Sequence, residues 1–310
     1  MLQFYLIAVA AGLLSGLLQS SVMLPGAGAM ILAYIAPLPL FLVGLGMGLQ
    51  GVAVAVLVVG VLSIPVAGPV YAVVQVLVYG VPIIVLSRQA LLSRSDGQGQ
   101  QHWYPAGNLL LWLSGLAMVG LALTVAALGL YSDGLMAHVH GVIEPFAAQL
   151  PLPEQRQMLM SLVDFIPAIF AVSWIVGLIF NGILAQGLLA RFGQNLAPSP
   201  KMADIRLPAA WIGVLAAAVF LATLEGLIGV VGKTLAAIAI VPYFLLGLGV
   251  IHGLVKSWKA RWIFLILFYG ILLIWPLPAL IAGLGFLVAV LRLRSRDNSD
   301  NAGDNAEGEE

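Results

Sequence analysis

Long apolar runs constrain the fold of this chain more than any other feature. Of its 310 residues, 62% are hydrophobic and 8% are charged, whereas a soluble domain carries roughly 25% charged residues. Runs of about 20 apolar residues match the hydrocarbon thickness of a bilayer. They must be helical, because lipid offers backbone groups no partners and the runs lack the alternation of a membrane β-barrel. The sequence therefore predicts an all-α, polytopic transmembrane helix bundle.

The apolar runs predict 8–10 hydrophobic segments. Pro37-Leu38-Pro39 interrupts the second segment, and Trp275-Pro276-Leu277-Pro278 alone divides the last two. Eight full spans with a re-entrant pair is therefore the alternative to ten spans. The segments lie at about 2–22, 28–48, 50–64, 67–87, 106–131, 164–190, 207–230, 234–255, 260–275 and 277–292.

Basic residues predict the orientation, because Lys and Arg near helix ends are retained on the cytoplasmic side. Four basic groups are each separated by two predicted spans and can share that side, with Arg156 and Lys233 opposite. An even number of spans precedes the first group, so both termini are expected in the cytoplasm and the chain in the bacterial inner membrane. The groups are Arg88 and Arg94; Arg191, Lys201 and Arg206; Lys256, Lys259 and Arg261; Arg292, Arg294 and Arg296.

Hydrophilic stretches suggest the organisation of the chain. The first segment is expected to be a retained helix, since no basic residue precedes it as in a signal peptide. The Ser-, Gly- and Gln-rich stretch after Arg88 is typical of a flexible linker, and the acidic C-terminal stretch has nothing apolar to bury. The predicted regions are membrane helices 1–90, a cytoplasmic linker 91–105, membrane helices 106–193 with an external region 132–163, membrane helices 207–294, and a disordered tail 295–310.

The external region has apolar residues at near-helical spacing, which predicts one or two amphipathic helices on the outer surface. Within residues 134–150, Val139, Ile143 and Phe146 share one face, expected to lie toward lipid or the bundle. A metal site is not predicted there, because only His140 and Glu144 share a helical face and two ligands are too few.

Motifs that would indicate catalysis are missing. Cysteine is absent, and the sequence has no nucleophile elbow, paired catalytic carboxylates or zinc-protease motif. Residues 229–234 (GVVGKT) superficially resemble a phosphate-binding loop, but Leu227 stands where that motif requires glycine. We therefore expect no enzyme activity, cofactor, metal or nucleic-acid partner.

Polar residues inside the apolar segments are the candidate ligand-binding groups, because a polar group in lipid must be partnered or line a cavity. Either they bind a ligand or they form interhelical hydrogen bonds that only support packing. His252, one turn from Lys256, is expected at the membrane interface. The candidates are Tyr71, Gln75, Asn181, Gln186 and Glu225.

Glu225 is the only acid well inside a predicted segment. An acid facing lipid is strongly disfavoured, so we expect its side chain to face the bundle interior, in either a functional or a packing role. A direct pair with Lys233 is not favoured, since eight helical residues correspond to about 12 Å.

Small residues at four-residue spacing let helices approach closely in lipid. They serve either packing within this bundle or docking of another membrane subunit. The residues are Ala8, Gly12 and Gly16; Gly44 and Gly48; Gly249 and Gly253.

Three stretches resemble the YybS-like bacterial membrane proteins, a family of unknown function: residues 37–41 followed by 44–48, residues 247–252, and residues 275–278. These proteins in turn look distantly like the substrate-binding S components of energy-coupling-factor transporters. That resemblance implies six helices in residues 1–193, an added unit in 207–294, and a coupling face formed by Ala8, Gly12 and Gly16.

Two functions follow as hypotheses. The first is a non-catalytic subunit that binds a small or amphipathic ligand, as in a transporter. The second is a scaffold that recruits partner proteins through its glycine-lined faces. The lipid bilayer is the expected partner under both hypotheses. A helix-lined void with inward polar groups favours the first, and a packed interior with small residues facing lipid favours the second.

Overall fold

The computed structural model describes residues 1–307 without residues 24, 25, 132, 201, 203, 204, 273 and 275, and without the side chains of 27, 131 and 295–307. Lys201, Trp275 and the side chain of Arg296 thus lie outside the described part. The described chain is mostly helical, which confirms the all-α class. The helices are α1 (Leu2–Ser20), α2 (Ala27–Ile35), α3 (Leu38–Met47), α4 (Leu49–Gln75), α5 (Val81–Ala90), α6 (Ala106–Tyr131), α7 (Leu135–Gln149), α8 (Pro153–Ser161), α9 (Ile166–Arg191), α10 (Ala210–Ala222), α11 (Gly226–Val255), α12 (Arg261–Ile271) and α13 (Leu277–Glu307).

Among the described residues, 7 helical runs are long and apolar enough to cross a membrane, and α10 and α12 are shorter apolar helices. One run, Leu49–Ala90, has 42 residues. A straight helix of that length would measure roughly 63 Å, twice the bilayer's hydrocarbon thickness of about 30 Å. This run is therefore too long to be a single straight span.

The chain reverses inside this run, at Gly68. Its φ angle is +88°, a conformation that glycine adopts without the steric cost of a Cβ. A Cβ added at Gly60 would lie 3.1 Å from the Val76 side chain, although these residues would be about 24 Å apart in a straight helix. Residues 49–66 and 69–90 therefore form an antiparallel pair. The two adjacent segments predicted here are both present, joined by a tight turn.

The contacts divide the chain into two compact units. Unit 1 comprises Met1–Pro105, Gly115–Gly120 and Ser173–Pro200, and unit 2 comprises Ala106–Ser114, Leu121–Val172 and Lys201–Glu310. In unit 1, α1 and α3 pack against α4, and in unit 2, α11 packs against α10 and α13. Because α6 and α9 contribute to both units, this division differs from the linear regions that the sequence suggested.

The stretch predicted as a flexible linker instead contains an ordered β-hairpin. Strands β1 (Ser93–Ser95) and β2 (Gln101–Trp103) pair antiparallel. The Asp96 carboxylate accepts hydrogen bonds from the backbone N–H groups of Gln98 at 3.0 Å and Gln100 at 2.8 Å. Its other oxygen lies 2.9 Å from His102 Nε2. Composition suggested a linker, but an aspartate that binds the turn's amides specifies a hairpin.

Residues 132–163, predicted to lie outside, contain helices α7 and α8, as their apolar spacing predicted. Val139 is buried in a cluster of unit 2 with Leu135, Val163 and Val230, and Ile143 packs against that cluster. Phe146 is 61% exposed. On the predicted face, Val139 and Ile143 therefore pack inside unit 2, whereas Phe146 is exposed.

α13 remains helical to Glu307, where the composition predicts disorder from residue 295. Helical hydrogen bonds are local, so a helix can continue beyond its packed part without tertiary contacts. The side chains of 295–307 and the whole of residues 308–310 lie outside the described part, so disorder of this tail in water stays a prediction.

Candidate functional site

The second predicted span is interrupted in unit 1, where α2 ends at Ile35 and α3 begins at Leu38. Pro37 and Pro39 have no backbone N–H, so the helical hydrogen bonds they would donate are missing. Carbonyl groups released by such an interruption need other donors, because lipid supplies none. The interruption is therefore the place in unit 1 where polar side chains are most needed.

Three buried polar side chains supply and extend these contacts. Asn181 of α9 donates from Nδ2 to the Tyr34 carbonyl at 2.9 Å. Ser15 of α1 donates from Oγ to the Ala36 carbonyl at 2.7 Å, and accepts from Gln19 Nε2 at 3.1 Å. Asn181 and Ser15 are 0% exposed, and Gln19 is 3% exposed. Helices α1 and α9 thus stabilise the end of α2.

Two acceptors of this cluster remain open. Asn181 Nδ2 also donates to the Gly177 carbonyl at 2.8 Å, which directs Oδ1 away from both carbonyls. Among the described residues, neither Asn181 Oδ1 nor Gln19 Oε1 has a hydrogen-bond partner. An amide oxygen has two lone pairs, and leaving it buried and unpaired costs about 1–3 kcal/mol. Both oxygens are suited to accept from a hydroxyl or ammonium group or to coordinate a small cation.

A second polar pair lies beside a π-helical turn. Gln75 Nε2 donates to Tyr71 Oη at 2.6 Å, and residues Val76–Gly80 then form the π turn. The Val78 carbonyl of this turn accepts from Trp174 Nε1 of α9 at 3.1 Å. π turns occur frequently at functional sites. Helix α9 therefore contacts both the turn and the interruption, a link that sequence reasoning missed because Trp174 looked like an ordinary apolar-segment residue.

Among the described residues, Gln186 forms hydrogen bonds with the loop after α9 and not with the α2–α3 interruption. Its Nε2 donates to the Ala197 carbonyl at 2.7 Å and lies 3.4 Å from Ser199 Oγ. A mainly apolar cavity of about 200 Å³ lies at this end of α9, smaller than the 300 Å³ or more of most ligand sites. It is lined by Leu42, Leu188, Leu189, Phe192 and Gln194.

The small residues of unit 1 are in internal contacts. Ala8 is 0% exposed, and a Cβ added at Gly12 would lie 2.5 Å from the Ala55 carbonyl of α4. Gly16 faces the same helix, and Gly44 faces Ser87. The α1 face proposed for a coupling subunit is therefore covered by α4, and this expectation is wrong. Gly48 has φ +82° and forms the turn between α3 and α4.

Glu225 of unit 2 does not face the interior, contrary to expectation. It lies in the turn between α10 and α11 and is exposed. Gly226 follows with φ +66°, so the chain changes direction where a continuous helix was expected. Glu225 therefore lies at the start of α11 and forms no ion pair with any residue in the described part of the chain.

An ion pair that sequence reasoning missed links α11 to the start of α9 in unit 2. Lys233 Nζ lies 2.7 Å from Asp164 Oδ2, with the side chains 27% and 46% exposed. The same ammonium lies 5.1 Å from the centre of the Phe165 ring. The available signal was their shared position on the predicted outer side, with opposite charges at two segment ends.

The remaining candidates of unit 2 are His252, Gly249 and Gly253. His252 Nδ1 donates to the Leu248 carbonyl at 2.9 Å, and Nε2 lies 3.3 Å from Tyr269 Oη. A Cβ at Gly249 would lie 3.1 Å from the Met202 carbonyl, whereas Gly253 is open. Across the described residues, no group of three or more His, Asp or Glu is placed to hold a metal ion.

Comparisons with known proteins place the chain in a family. Neither the curated proteins nor the solved structures include a match. A family model described as a predicted membrane protein (DUF2232) matches residues 12–287. That match covers most of the chain and agrees with its long apolar helices. The chain is therefore a multi-pass membrane protein and belongs to the DUF2232 family of predicted membrane proteins.

Proposed function

We propose that this protein is a non-catalytic subunit of the bacterial inner membrane that binds a small or amphipathic ligand, as transporter components do. The α2–α3 interruption carries the proposal, since Gln19 Oε1 and Asn181 Oδ1 are buried there without described partners. Neutral polar groups inside membrane bundles either form hydrogen bonds between helices or line a substrate or ion pathway.

The chemistry of the interruption suggests the kind of ligand. Interrupted helices form the binding sites of many transporters, where released backbone groups and helix ends contact the substrate or ion. Ser15, Gln19 and Asn181 carry no charge, and the two open atoms are acceptors. A neutral or cationic ligand with N–H or O–H donors is favoured over an anion. Tyr71 and Gln75 are retained as more distant candidates.

The finer family relations stay expectations. Resemblance to YybS-like proteins and to S components agrees with a ligand-binding role, but a coupling subunit would require a surface other than the covered α1 face. The scaffold hypothesis has less support, because Gly12, Gly16 and Gly44 are in internal contacts. No catalytic constellation was found in the sequence, which favours a role without catalysis.

Mass spectrometry of the protein purified in mild detergent tests the ligand. Gln19→Met and Asn181→Leu remove the two acceptors, together with the amide donors, while roughly preserving side-chain length. We expect a donor-bearing small molecule to copurify with the wild type and to fall about tenfold or more in both variants, as hydrogen-bonding sites strongly reject mismatched partners.

Ser63→Ala is the control, because Ser63 is equally buried but bonds to the Val59 carbonyl of its own helix, at 2.8 Å. It is expected to retain the ligand. Unchanged ligand content in correctly folded Gln19→Met and Asn181→Leu protein would refute the site.

Topology is tested by reporter fusions at Arg94 and Glu144. The basic residues predict Arg94 in the cytoplasm and Glu144 outside. Activity of the same reporter at both positions would contradict the predicted orientation.

A further inference from the structure

The turn between α11 and α12 carries a concentrated positive charge. Lys256, Lys259 and Arg261 are all exposed. The sequence has no Asp or Glu from Gly226 to Arg296, so nothing on these two helices neutralises the three cations. None of them forms an ion pair with any residue in the described part of the chain.

Two tryptophans lie next to these charges in the chain. Trp258 N–H donates to the Val255 carbonyl at 3.0 Å, and Arg261 N–H donates to the Trp258 carbonyl at 3.2 Å. The Arg261 guanidinium lies 5.0 Å from the centre of the Trp262 ring. Trp258 and Trp262 are 52% and 65% exposed. Tryptophan is enriched at the level of lipid headgroups.

Helix α12 has an aromatic face and an open apolar face. The rings of Trp258 and Phe264 are 5.3 Å apart, and those of Phe264 and Phe268 are 6.0 Å apart. No residue of α12 is buried. The open face carries Trp262, Ile263, Ile266 and Leu267, exposed at 65%, 65%, 72% and 61%.

The length of α12 is compatible with its charged end lying at a membrane surface. Its 11 residues rise about 16 Å, roughly half the hydrocarbon thickness. An open apolar face on a membrane protein is suited to contact acyl chains, and this arrangement would bring the cations at its start to headgroup depth. Lys and Arg clusters next to membrane helices recognise anionic lipids.

We propose that the α11–α12 turn is a binding site for an anionic phospholipid, with its phosphate at Lys256, Lys259 and Arg261 and its acyl chains along the open face of α12. This site is independent of the ligand proposed for unit 1. The apolar face next to the cations is the reason to name a lipid rather than a soluble phosphate.

The test compares bound phosphatidylglycerol and phosphatidylcholine by native mass spectrometry of the full chain. The triple variant Lys256→Gln, Lys259→Gln, Arg261→Gln is expected to lose about tenfold or more in phosphatidylglycerol affinity, since each surface cation contributes severalfold to anionic-lipid binding. Phosphatidylcholine binding is expected to stay unchanged.

A control triple variant, Arg88→Gln, Arg94→Gln, Arg191→Gln, removes the same charge from exposed positions of unit 1. It is expected to keep the wild-type affinity. Equal losses in the two triple variants, or no loss in the first, would overturn the site. Displacement of the lipid by millimolar inorganic phosphate would overturn the contribution of the acyl chains. Melting temperatures of both variants show that the compared proteins are folded.

Discussion

The α2–α3 interruption of unit 1 and the α11–α13 contact of unit 2 hold helices together in different ways. At the interruption, amide and hydroxyl side chains bridge helices. In the α11–α13 contact, the backbones touch: a Cβ added at Gly285 would overlap the Tyr243 carbonyl and lie 2.7 Å from Gly247 N. In lipid, no hydrophobic effect drives helices to associate. Close van der Waals contact and hydrogen bonds between the helices must stabilise the bundle instead. At the interruption, two amide oxygens are left without a hydrogen-bond partner among the described residues. In the α11–α13 contact, the helix backbones are too close to admit an added methyl group.

The largest expected effect is therefore at Gly285. Gly285→Ala places a methyl group against the backbone of α11 and should destabilise the protein by about 3 kcal/mol or more, the upper range for overpacking. Gly283→Ala is the matched control, because it lies on the same helix with nothing within 4 Å of the added atom. It should be neutral or slightly stabilising. Unfolding titrations in mixed micelles measure both, and equal stability of the two variants would contradict the contact.

A smaller effect is expected at the interruption. Asn181→Leu keeps the branched shape of the side chain but leaves the Tyr34 and Gly177 carbonyls without their side-chain donor, which should cost about 1–3 kcal/mol. Ser63→Ala should cost less, since its hydroxyl bonds within its own helix. The same titrations provide the comparison. A cost at Asn181 as large as that of Gly285→Ala would mean that side-chain bridging and backbone contact are not distinct solutions.

The Lys233–Asp164 pair should contribute less than either helix contact. Both side chains are partly exposed, and exposed ion pairs contribute about 0.2–1 kcal/mol. A double-mutant cycle with Asp164→Asn and Lys233→Met isolates this coupling. Glu225→Gln, in the exposed turn, should change stability by less than about 0.5 kcal/mol. A coupling near zero would show that the pair does not stabilise unit 2.

The difference between the two charged sites shows where sequence reasoning stops. The length of the apolar runs was sufficient to predict the helices and the paired segments around Gly68, because bilayer thickness constrains both. Glu225 was assigned to a helix interior because the turn before Gly226 is short and flanked by apolar residues on both sides. The pairing of Lys233 with Asp164 depends on tertiary packing between distant parts of the chain, which one sequence does not reveal.

The interruption was visible in the sequence, but its partners were not. Pro37 and Pro39 predict an interruption of the helix. Asn181 is recognisable as a candidate because it is polar within an apolar run. The hydrogen bond from Asn181 to the Tyr34 carbonyl depends on how α9 packs beside α2. Gln19 gave no signal in the sequence because it lies near the end of its segment. Gly285 was missed for a related reason: a glycine's packing role depends on the helix opposite, here α11.

The smallest predicted effect concerns the hairpin of unit 1. The hydrogen bond with His102, and then those from the Gln100 and Gln98 amides, hold the pKa of the exposed Asp96 carboxyl below its usual range. A lowered folded-state pKa means that this stabilisation is present above the unfolded pKa of about 3.9 and is lost as pH falls through the folded value. Asp96→Ala should therefore speed amide exchange at Gln98 and Gln100 at neutral pH and remove the loss of protection that acid causes in the wild type, while the global unfolding transition stays unchanged. Hydrogen exchange read by mass spectrometry distinguishes this local effect from the flexible linker first expected, since a linker would exchange rapidly in both proteins.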